Sequence, residues 1–201
     1  MARPPAASLA RAAVLALGGL AGAVSASAQT RAEAVSFAAY FMPLRDVAPG
    51  VRHRQAPMAG LRLGSWVTPW LGFEMTFGYA DSDLRGAAAP DTDVILTVIR
   101  GRVLVTSWRS NTHVFVSAGL GGISHGGASY GTQLDAKDLT LTAGLGARLK
   151  LRGRFGLRIE LEDYHHRARL VGEGRRAQHD LVLSLALAVG FGPGWPGLTP
   201  P

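Results

Sequence analysis

The amino-acid sequence predicts an all-β fold, an eight-stranded antiparallel up-and-down transmembrane β-barrel. Apolar and polar residues alternate with a period of two in eight segments, which is the pattern of strands that have one apolar face. The segments are about 10–14 residues long, whereas a tilted membrane strand needs about 9–11 and a strand of a soluble protein usually has about 5–6. Short and long gaps alternate between them, as turns and loops do in outer-membrane barrels.

The N-terminal residues have the three parts of a secretory signal peptide. Arg3 and Arg11 are the only charges before an apolar stretch ends at Val24, and Ala26-Ser27-Ala28 supplies the small residues of a cleavage site. The alternative, an uncleaved anchor helix, would need about 20 apolar residues. We therefore expect export through a cleaved signal peptide at 1–28, followed by a short lead at 29–33, the barrel domain at 34–191 and a periplasmic Gly/Pro-rich tail at 192–201.

The eight predicted strands follow one another along the barrel domain. The alternation is clearest in the last strand, where Leu183, Leu185 and Leu187 form one face. In the fourth strand Val98 shares its phase with Arg100, which predicts a bulge or a mixed face. The predicted ranges are, in order, 34–43, 58–68, 70–80, 92–107, 112–124, 137–150, 153–166 and 178–191.

The gaps give the predicted strands their orientation. The short gaps are Thr68-Pro69, residues 108–111 and residues 151–153, and they are expected to be periplasmic turns. The long gaps, expected to be extracellular loops, are 44–57, 81–91, 125–136 and 167–177. Because the strand count is even, we predict both chain termini on the periplasmic side.

Alternation alone does not distinguish a membrane barrel from a soluble, lipocalin-like barrel. The interior of an eight-stranded barrel is only just wide enough for side chains. One face of the predicted strands carries mainly Leu, Phe, Val, Ile and Met, and the other mainly Gly, Ala, Ser and Thr with a few charges. We therefore predict that the bulky face points into lipid and that the small residues line the lumen.

The phase of the strands places a set of charged residues inside the predicted barrel. Enclosed charges must pair or stay hydrated, so we predict an internal salt-bridge network that plugs the lumen and fixes the strand register. We interpret it as a stabilising device, with a gate as the alternative. Its predicted members are Arg62, Glu74, Arg100, Arg102, Arg148, Lys150, Arg158, Glu160 and Glu162.

Aromatic residues cluster near the predicted strand ends. Amphipathic rings favour the level of the lipid headgroups, where membrane barrels carry girdles of aromatic residues. The predicted girdle consists of Tyr40, Phe41, Trp66, Trp70, Tyr79, Trp108, Phe155 and Tyr164.

Four segments carry a resemblance to a known family: AGLRLG at 59–64, TPWLGFE at 68–74, AGLGAR at 143–148 and LRIELEDY at 157–164. They resemble the small, OmpA/OmpX-like outer-membrane β-barrels of Gram-negative bacteria. The resemblance implies location in the bacterial outer membrane and folding by the barrel-assembly machinery. That machinery reads an aromatic residue at the end of the last strand, which in this chain is Phe191.

Two of the long loops are basic, in a chain whose formal net charge is +7. Lipopolysaccharide carries phosphates in the outer leaflet, and Arg binds phosphate in bidentate fashion, so we hypothesise that these arginines contact it. The alternative is a merely solvated loop face. Nucleic acid is not expected, because the sequence shows no basic groove with stacking aromatics. The arginines are Arg45, Arg52, Arg54, Arg167, Arg169, Arg175 and Arg176.

No residue pattern defines a catalytic, metal or cofactor site, and the absence of Cys excludes a cysteine nucleophile. Ser124 and His125, with Ser129 and Asp135 nearby, could form a hydrolase, but adjacent residues of a strand point to opposite faces. His165, His166 and His179 could share a metal, yet they follow no ligand spacing. Asp81-Ser82-Asp83 is interpreted as a turn rather than a calcium site.

The leading functional prediction is a monomeric envelope barrel with a structural or interaction role. Its extracellular loops are expected to contact lipopolysaccharide or an external partner, and its outer face to contact the lipid of the outer membrane. A narrow pore for ions or small solutes is the alternative. A lipid A-modifying enzyme ranks third, and no enzyme activity is predicted.

Overall fold

The structure, a computed structural model, describes residues 31–68, 70–87, 91–105, 111–130, 136–168 and 174–191. The predicted signal peptide and tail lie outside these residues, and the last three residues of the predicted lead already belong to the first strand. The elements are β1 (Arg31–Pro43), β2 (Arg52–His53), β3 (Ala56–Trp66), β4 (Leu71–Arg85), β5 (Asp91–Leu104), β6 (Thr112–Gly126), a 3-10 turn (Ala128–Tyr130), β7 (Ala136–Lys150), β8 (Phe155–Ala168) and β9 (Arg176–Phe191).

Eight long strands form a closed antiparallel barrel, which confirms the predicted fold class. Each pairs with its neighbours in the ring β1-β3-β4-β5-β6-β7-β8-β9, and the pairing of β1 with β9 closes it. The two-residue strand β2 pairs only with the end of β4. Ring closure gives the long strands two hydrogen-bonded neighbours each, which is what a backbone needs in lipid. In the described part of the chain, no helix is long and apolar enough to cross a membrane.

The two ends of the barrel differ in their connections. At one end, called the turn end, lie the two chain termini of the barrel and the connections 67–70, 105–111 and 151–154. The other end is called the loop end. It has the connection 44–55, which contains β2, and the connections 86–90, 127–135 and 169–175.

The strands are longer at the loop end than the sequence predicted. Asp81-Ser82-Asp83, interpreted as a turn, continues β4, because Asp81 pairs with Asp93 and Asp83 with Asp91. The inward and outward alternation also persists there, with Ser82 and Leu84 buried. The predicted loop 81–91 therefore shrinks to 86–90, and the connections alternate between short and long less strictly than expected.

The bulky apolar face points outward, as predicted. Leu183, Leu185 and Leu187 on β9 are 44%, 54% and 44% exposed, whereas Val182 and Ser184 on the other face are each 1% exposed. Side chains that a soluble fold would bury thus cover the outside of the barrel, which is the arrangement of a barrel solvated by lipid.

Strand β5 has a mixed inner face and no bulge. Its register with β4 and β6 runs without interruption, and Val94, Leu96 and Val98 point inward together with Arg100 and Arg102. The apolar members belong to a buried cluster nearer the loop end, and the arginines to a charged layer nearer the turn end. The mixed face therefore marks a change of layer inside the lumen.

The lumen also contains larger residues than predicted. Phe37 and Phe115 are buried inside, where two glycines face them. A Cβ atom on Gly60 would contact the Phe37 ring, and one on Gly146 would contact the Phe115 ring. Gly60 and Gly146 thus leave the space that the rings of Phe37 and Phe115 occupy inside the lumen.

Candidate functional site

Nine charged side chains form an ion-pair network inside the barrel. Glu74 lies at its centre, and its Oε2 atom is 2.6 Å from Arg158 Nη1 and 3.2 Å from Arg102 Nη1. Glu74 also contacts Arg100, and its side chain is fully buried. The members, contributed by six strands, are Arg62, Arg100, Arg102, Arg148, Arg158, Glu33, Glu74, Glu160 and Glu162.

Two glutamates of β8, Glu160 and Glu162, bind arginines from different walls of the barrel. Arg62 Nη1 is 2.6 Å from Glu160 Oε2, and Arg62 Nη2 is 2.6 Å from Glu162 Oε2. Arg158 Nη2 donates to Glu160 at 2.7 Å, and the Tyr164 hydroxyl donates to Glu162 at 3.0 Å. Because β3 and β8 are not neighbours in the barrel, the contacts of Arg62 with Glu160 and Glu162 cross the lumen.

Glu33 belongs to the network although it is not among the members predicted from the sequence. Its Oε2 atom accepts from Arg102 at 3.3 Å and from Trp66 Nε1 at 3.4 Å, and Arg148 Nη1 lies 3.7 Å from its Oε1. The first strand was predicted to begin one residue after Glu33, but Glu33 continues the phase of buried Val35, which could have revealed it. The predicted member Lys150 is the last residue of β7, and it is only partly buried.

Aromatic rings cover the arginines of the network. The guanidinium carbon of Arg62 lies 4.1 Å from the centre of the Phe37 ring, and that of Arg158 lies 4.7 Å from the centre of the Phe115 ring. Arg102 lies 4.6 Å over Trp66. Such cation–π contacts stabilise a buried cation, so the rings help to hold the guanidinium groups in place.

Three residues predicted for the aromatic girdle lie inside the barrel instead. Phe41 is 0% exposed, Trp66 5% and Tyr164 1%. Phe41 follows outward-facing Tyr40 and so must point inward, and Trp66 and Tyr164 share the phases of Arg62 and Glu162. Four other residues of the predicted girdle are exposed on the outer face or at the turns: Tyr40, Trp70, Tyr79 and Phe155. Trp108 lies outside the described residues.

A cluster of buried rings closes the lumen at the loop end. His53 Nε2 and the Tyr130 hydroxyl are 2.5 Å apart, and the rings of His125 and Tyr130 stack with centres 4.9 Å apart. The ring centres of His125 and His166 are 5.3 Å apart, and Asp180 Oδ2 is 3.2 Å from His166 Nε2. We call these five residues the histidine cap. The sequence does not reveal this cap, because its members lie far apart in the chain and converge only when the barrel closes.

Two residues of the histidine cap, His53 and Tyr130, lie outside the barrel strands, and burial shifts the pKa of each in the direction that favours its neutral form. Desolvation by burial, and then electrostatic repulsion from the neighbouring imidazole of His166, lower the pKa of His53 to about 4. Burial likewise raises the pKa of the Tyr130 hydroxyl above its ordinary value. His53 and Tyr130 are therefore uncharged at neutral pH.

The loop arginines are exposed at the loop end and differ in their partners. Arg52 Nε is 2.7 Å from Asp46, and Arg54 Nη1 is 3.7 Å from Asp83. Arg45, Arg167, Arg175 and Arg176 are exposed, and Arg169 lies outside the described residues. An open cleft of about 470 Å³ runs between Leu44, Arg45, Asp46, Arg52, Arg176 and Ala177.

The structure does not bring the candidate hydrolase residues together. The side chain of Ser124 is on the outer face of β6, whereas His125 points inward and belongs to the histidine cap. Ser129 lies in the 3-10 turn, and Asp135 is outside the described residues. Among the described residues, Ser124 and His125 thus form no nucleophile–base pair of the kind that acyl transfer requires.

The three histidines near the last loop separate into two environments. His166 points into the lumen, whereas His165 and His179 pair across β8 and β9 on the outer face, with His165 Nδ1 and His179 Nε2 3.1 Å apart. His179 Nδ1 lies 3.0 Å from Asp163 Oδ2. In the described part of the chain, no three His, Asp or Glu side chains are arranged to hold a metal.

A closed ring of long strands, an apolar outer face and a filled, charged lumen define an integral β-barrel protein of the bacterial outer membrane. The chain belongs to the family of the outer membrane protein beta-barrel domain, whose model matches residues 12–187. No sequence among curated proteins matches the chain.

Solved structures of small outer-membrane barrels have the same fold. Neisserial surface protein A (NspA) is 12% identical, with a TM-score of 0.60 over 81% of this chain and 97% of that one. OprG from Pseudomonas aeruginosa is 13% identical, with a TM-score of 0.57 over 82% and 97%. Outer Membrane Protein W of E. coli is 10% identical, with a TM-score of 0.57 over 83% and 100%. At these identities the likeness concerns the fold alone.

Proposed function

We propose that the barrel has a structural and interaction role in the cell envelope and that its loop end binds the phosphates of lipopolysaccharide. The observation that carries this proposal is the open cleft at the loop end, into which Arg45, Arg52 and Arg176 converge from two separate segments. With the loop end at the outer surface of the membrane, the turn end and both chain termini face the periplasm.

The cleft contains three arginines and one carboxylate, Asp46, which pairs with Arg52, so the remaining positive charge favours an amphiphilic anion. Arg45 and Arg176 are exposed, and their planar guanidinium groups suit bidentate binding of phosphate oxygens. Leu44, in the same cleft, is 49% exposed and supplies an apolar surface next to the charges. A phosphorylated lipid presents both kinds of surface, phosphates in its headgroup and apolar acyl chains next to them, at the level of the membrane that the loop end would occupy.

The filled lumen supports a role of the surface rather than of the interior. The nine charges of the network are closed off by rings toward the turn end and by an apolar layer and the histidine cap toward the loop end. Phe191, the last residue of β9 and 45% exposed on the outer face, is proposed to be the signal for the barrel-assembly machinery. We propose that the assembled barrel is a monomer.

A thermal-shift experiment with two matched double variants tests the proposal. Arg45→Gln/Arg176→Gln removes two charges from the cleft, and Arg152→Gln/Arg154→Gln removes two exposed charges at the turn end. A ligand that binds only the folded barrel raises its unfolding temperature. We expect lipopolysaccharide to stabilise the wild type and the turn-end variant, and to stabilise the cleft variant much less. An equal shift in all three proteins, or an equal shift with dephosphorylated lipopolysaccharide, would contradict phosphate binding in the cleft.

A further inference from the structure

The outer face of the barrel carries three polar side chains where the apolar band of β8 and β9 ends. Along β8 the outward residues are apolar up to Leu161, and along β9 they are apolar from Phe191 to Leu181. The next outward residues toward the loop end are Asp163 and His165 on β8 and His179 on β9. These three side chains therefore lie at the border between the apolar band and the loop end, where lipid headgroups and water meet the barrel.

The three side chains form a chain of contacts with defined donor and acceptor atoms. Asp163 Oδ2 is 3.0 Å from His179 Nδ1, and His179 Nε2 is 3.1 Å from His165 Nδ1. An ionised carboxylate only accepts, so His179 carries its proton on Nδ1 and donates it to Asp163. The lone pair of His179 Nε2 is thereby directed at His165 Nδ1.

We propose that His165 and His179 form a transition-metal site for an ion such as Cu²⁺ or Zn²⁺, with Asp163 as the positioning residue. Neutral imidazole nitrogen is a preferred ligand of these metals. A carboxylate that accepts the second N–H of a ligand histidine fixes its tautomer and raises its basicity, which is the role that Asp163 has toward His179.

The spacing of the two nitrogens fits this assignment. Histidine nitrogens bind zinc at about 2.0–2.1 Å, so two nitrogens 3.1 Å apart subtend an angle of about 100° at the metal. That angle lies between the square-planar and tetrahedral values. The side chains already stand at the required separation because their residues are directly opposite in the register of β8 and β9.

Metal binding requires one proton to move. Without metal, His165 Nδ1–H donates to His179 Nε2, and the metal replaces that hydrogen bond. His165 then carries its proton on Nε2, which leaves a lone pair on Nδ1, and no net proton is released from a neutral pair. The chain supplies two ligands, and the remaining positions of the metal are open to water or to a ligand from solution.

The buried histidine cap is not an equivalent candidate. Its imidazoles are stacked or tilted against one another and against Tyr130, and among the described residues no three His, Asp or Glu side chains are arranged to hold a metal. The outer site also shares none of the arginines of the proposed lipopolysaccharide cleft. Failure of one proposal would therefore leave the other intact.

Cu²⁺ titration of the full barrel in detergent, purified without a polyhistidine tag, tests the site. Calorimetry gives the stoichiometry and affinity, and electron paramagnetic resonance counts the nitrogens bound to copper. The double variant His165→Gln/His179→Gln serves as the baseline for all other copper binding. We expect one additional Cu²⁺ with two nitrogen ligands in the wild type, and loss of that site in either single variant, His165→Gln or His179→Gln.

Asp163→Asn distinguishes a positioned site from two neighbouring histidines. We expect it to retain the stoichiometry and to weaken the affinity by about 10- to 100-fold, as is typical when a partner of a ligand histidine is lost. All variants lie on the outer face, and their migration on unboiled gels checks that they fold. A wild type that binds no more Cu²⁺ than the double variant, or shows a one-nitrogen spectrum, would overturn the proposal, and an unchanged affinity in Asp163→Asn would overturn the role of Asp163.

Discussion

Glu74 connects more arginines than any other glutamate named in the network. It contacts Arg100, Arg102 and Arg158 directly, and Arg62 Nε lies 4.0 Å away. In Glu74→Gln these cations would stay buried and would each lose one of their counter-charges. Breaking a buried pair typically costs about 3–5 kcal/mol, so we expect a loss of that order in the free energy of unfolding, measured by urea titration in lipid vesicles.

The control for Glu74→Gln is Asp81→Asn, which removes a carboxylate that is exposed near the loop end. An exposed charge contributes little to stability, so this variant should unfold at the urea concentration of the wild type. Equal stability of the two variants would show that the lumen charges are hydrated rather than paired.

His53 makes the loop end sensitive to acid. Its pKa is about 4 in the folded protein and near its ordinary value of about 6.5 when the loop opens, so only the open form takes up a proton between these values. The contribution of His53 to closure is therefore complete above about pH 6.5 and falls as the pH drops toward 4. The titratable groups around His53 are His125, His166 and Asp180, which contact it or one another in the cap. A positive charge on His53 would lie close to the imidazoles of His125 and His166, which disfavours protonation while the cap is closed.

A spin label reports this opening, since the chain has no Cys of its own. With the label at Pro49→Cys, an exposed position in the loop that carries β2, we expect greater mobility at pH 4.5 than at pH 7.5. A label at Leu151→Cys, at the turn end, should not respond to pH. Equal mobility of the label at position 49 at both pH values would show that the cap stays closed when acidified.

Individual strands depend on glycines that face large inward rings. A Cβ atom on Gly146 in β7 would lie 2.5 Å from Glu160 Cγ and would also contact the Phe115 ring. Overpacking of a filled interior usually costs about 1–3 kcal/mol, and we expect a loss in this range for Gly146→Val in the urea titration.

Gly122→Val in β6 is the matched control for Gly146→Val. Gly122 is on the outer face, and no heavy atom lies within 4 Å of the position of an added Cβ. Valine favours strands, so we expect unchanged or slightly higher stability. A similar loss in both variants would assign the effect to the valine itself rather than to the crowded lumen.

The sequence predicts the strands well because each one follows a single alternation of faces, which is a local property. Prediction fails where a residue's surroundings come from strands that are distant in the chain. Phe41 and Tyr164 are aromatic residues near strand ends, yet their phase directs them inward. The arginines and glutamates predicted for the lumen do meet across the barrel, but the histidine cap could not be derived, because His53, His125 and Tyr130 meet only after closure.

At the scale of the whole molecule, the lumen is filled by successive layers. Trp66, Leu104 and Phe115 form an apolar cluster nearest the turn end. The ion-pair network follows, then an apolar layer that includes Val98 and Ile123, and the histidine cap completes the filling at the loop end. We expect these layers to leave no continuous path for water, because the apolar layer lies between the two polar ones.

This layering predicts that the barrel does not conduct ions. In planar bilayers, we expect no stable single-channel steps from the folded wild type, whereas wider porins of about 16–18 strands, recorded in parallel, enclose an aqueous channel. The neutral double variant Arg62→Ala/Glu162→Ala removes one positive and one negative charge that lie 2.6 Å apart. It should also remain closed, because the apolar layer and the cap stay in place. Large, stable channels in the wild type would contradict a filled lumen and favour the narrow-pore alternative, and channels only in the double variant would show that the charged layer alone blocks the passage.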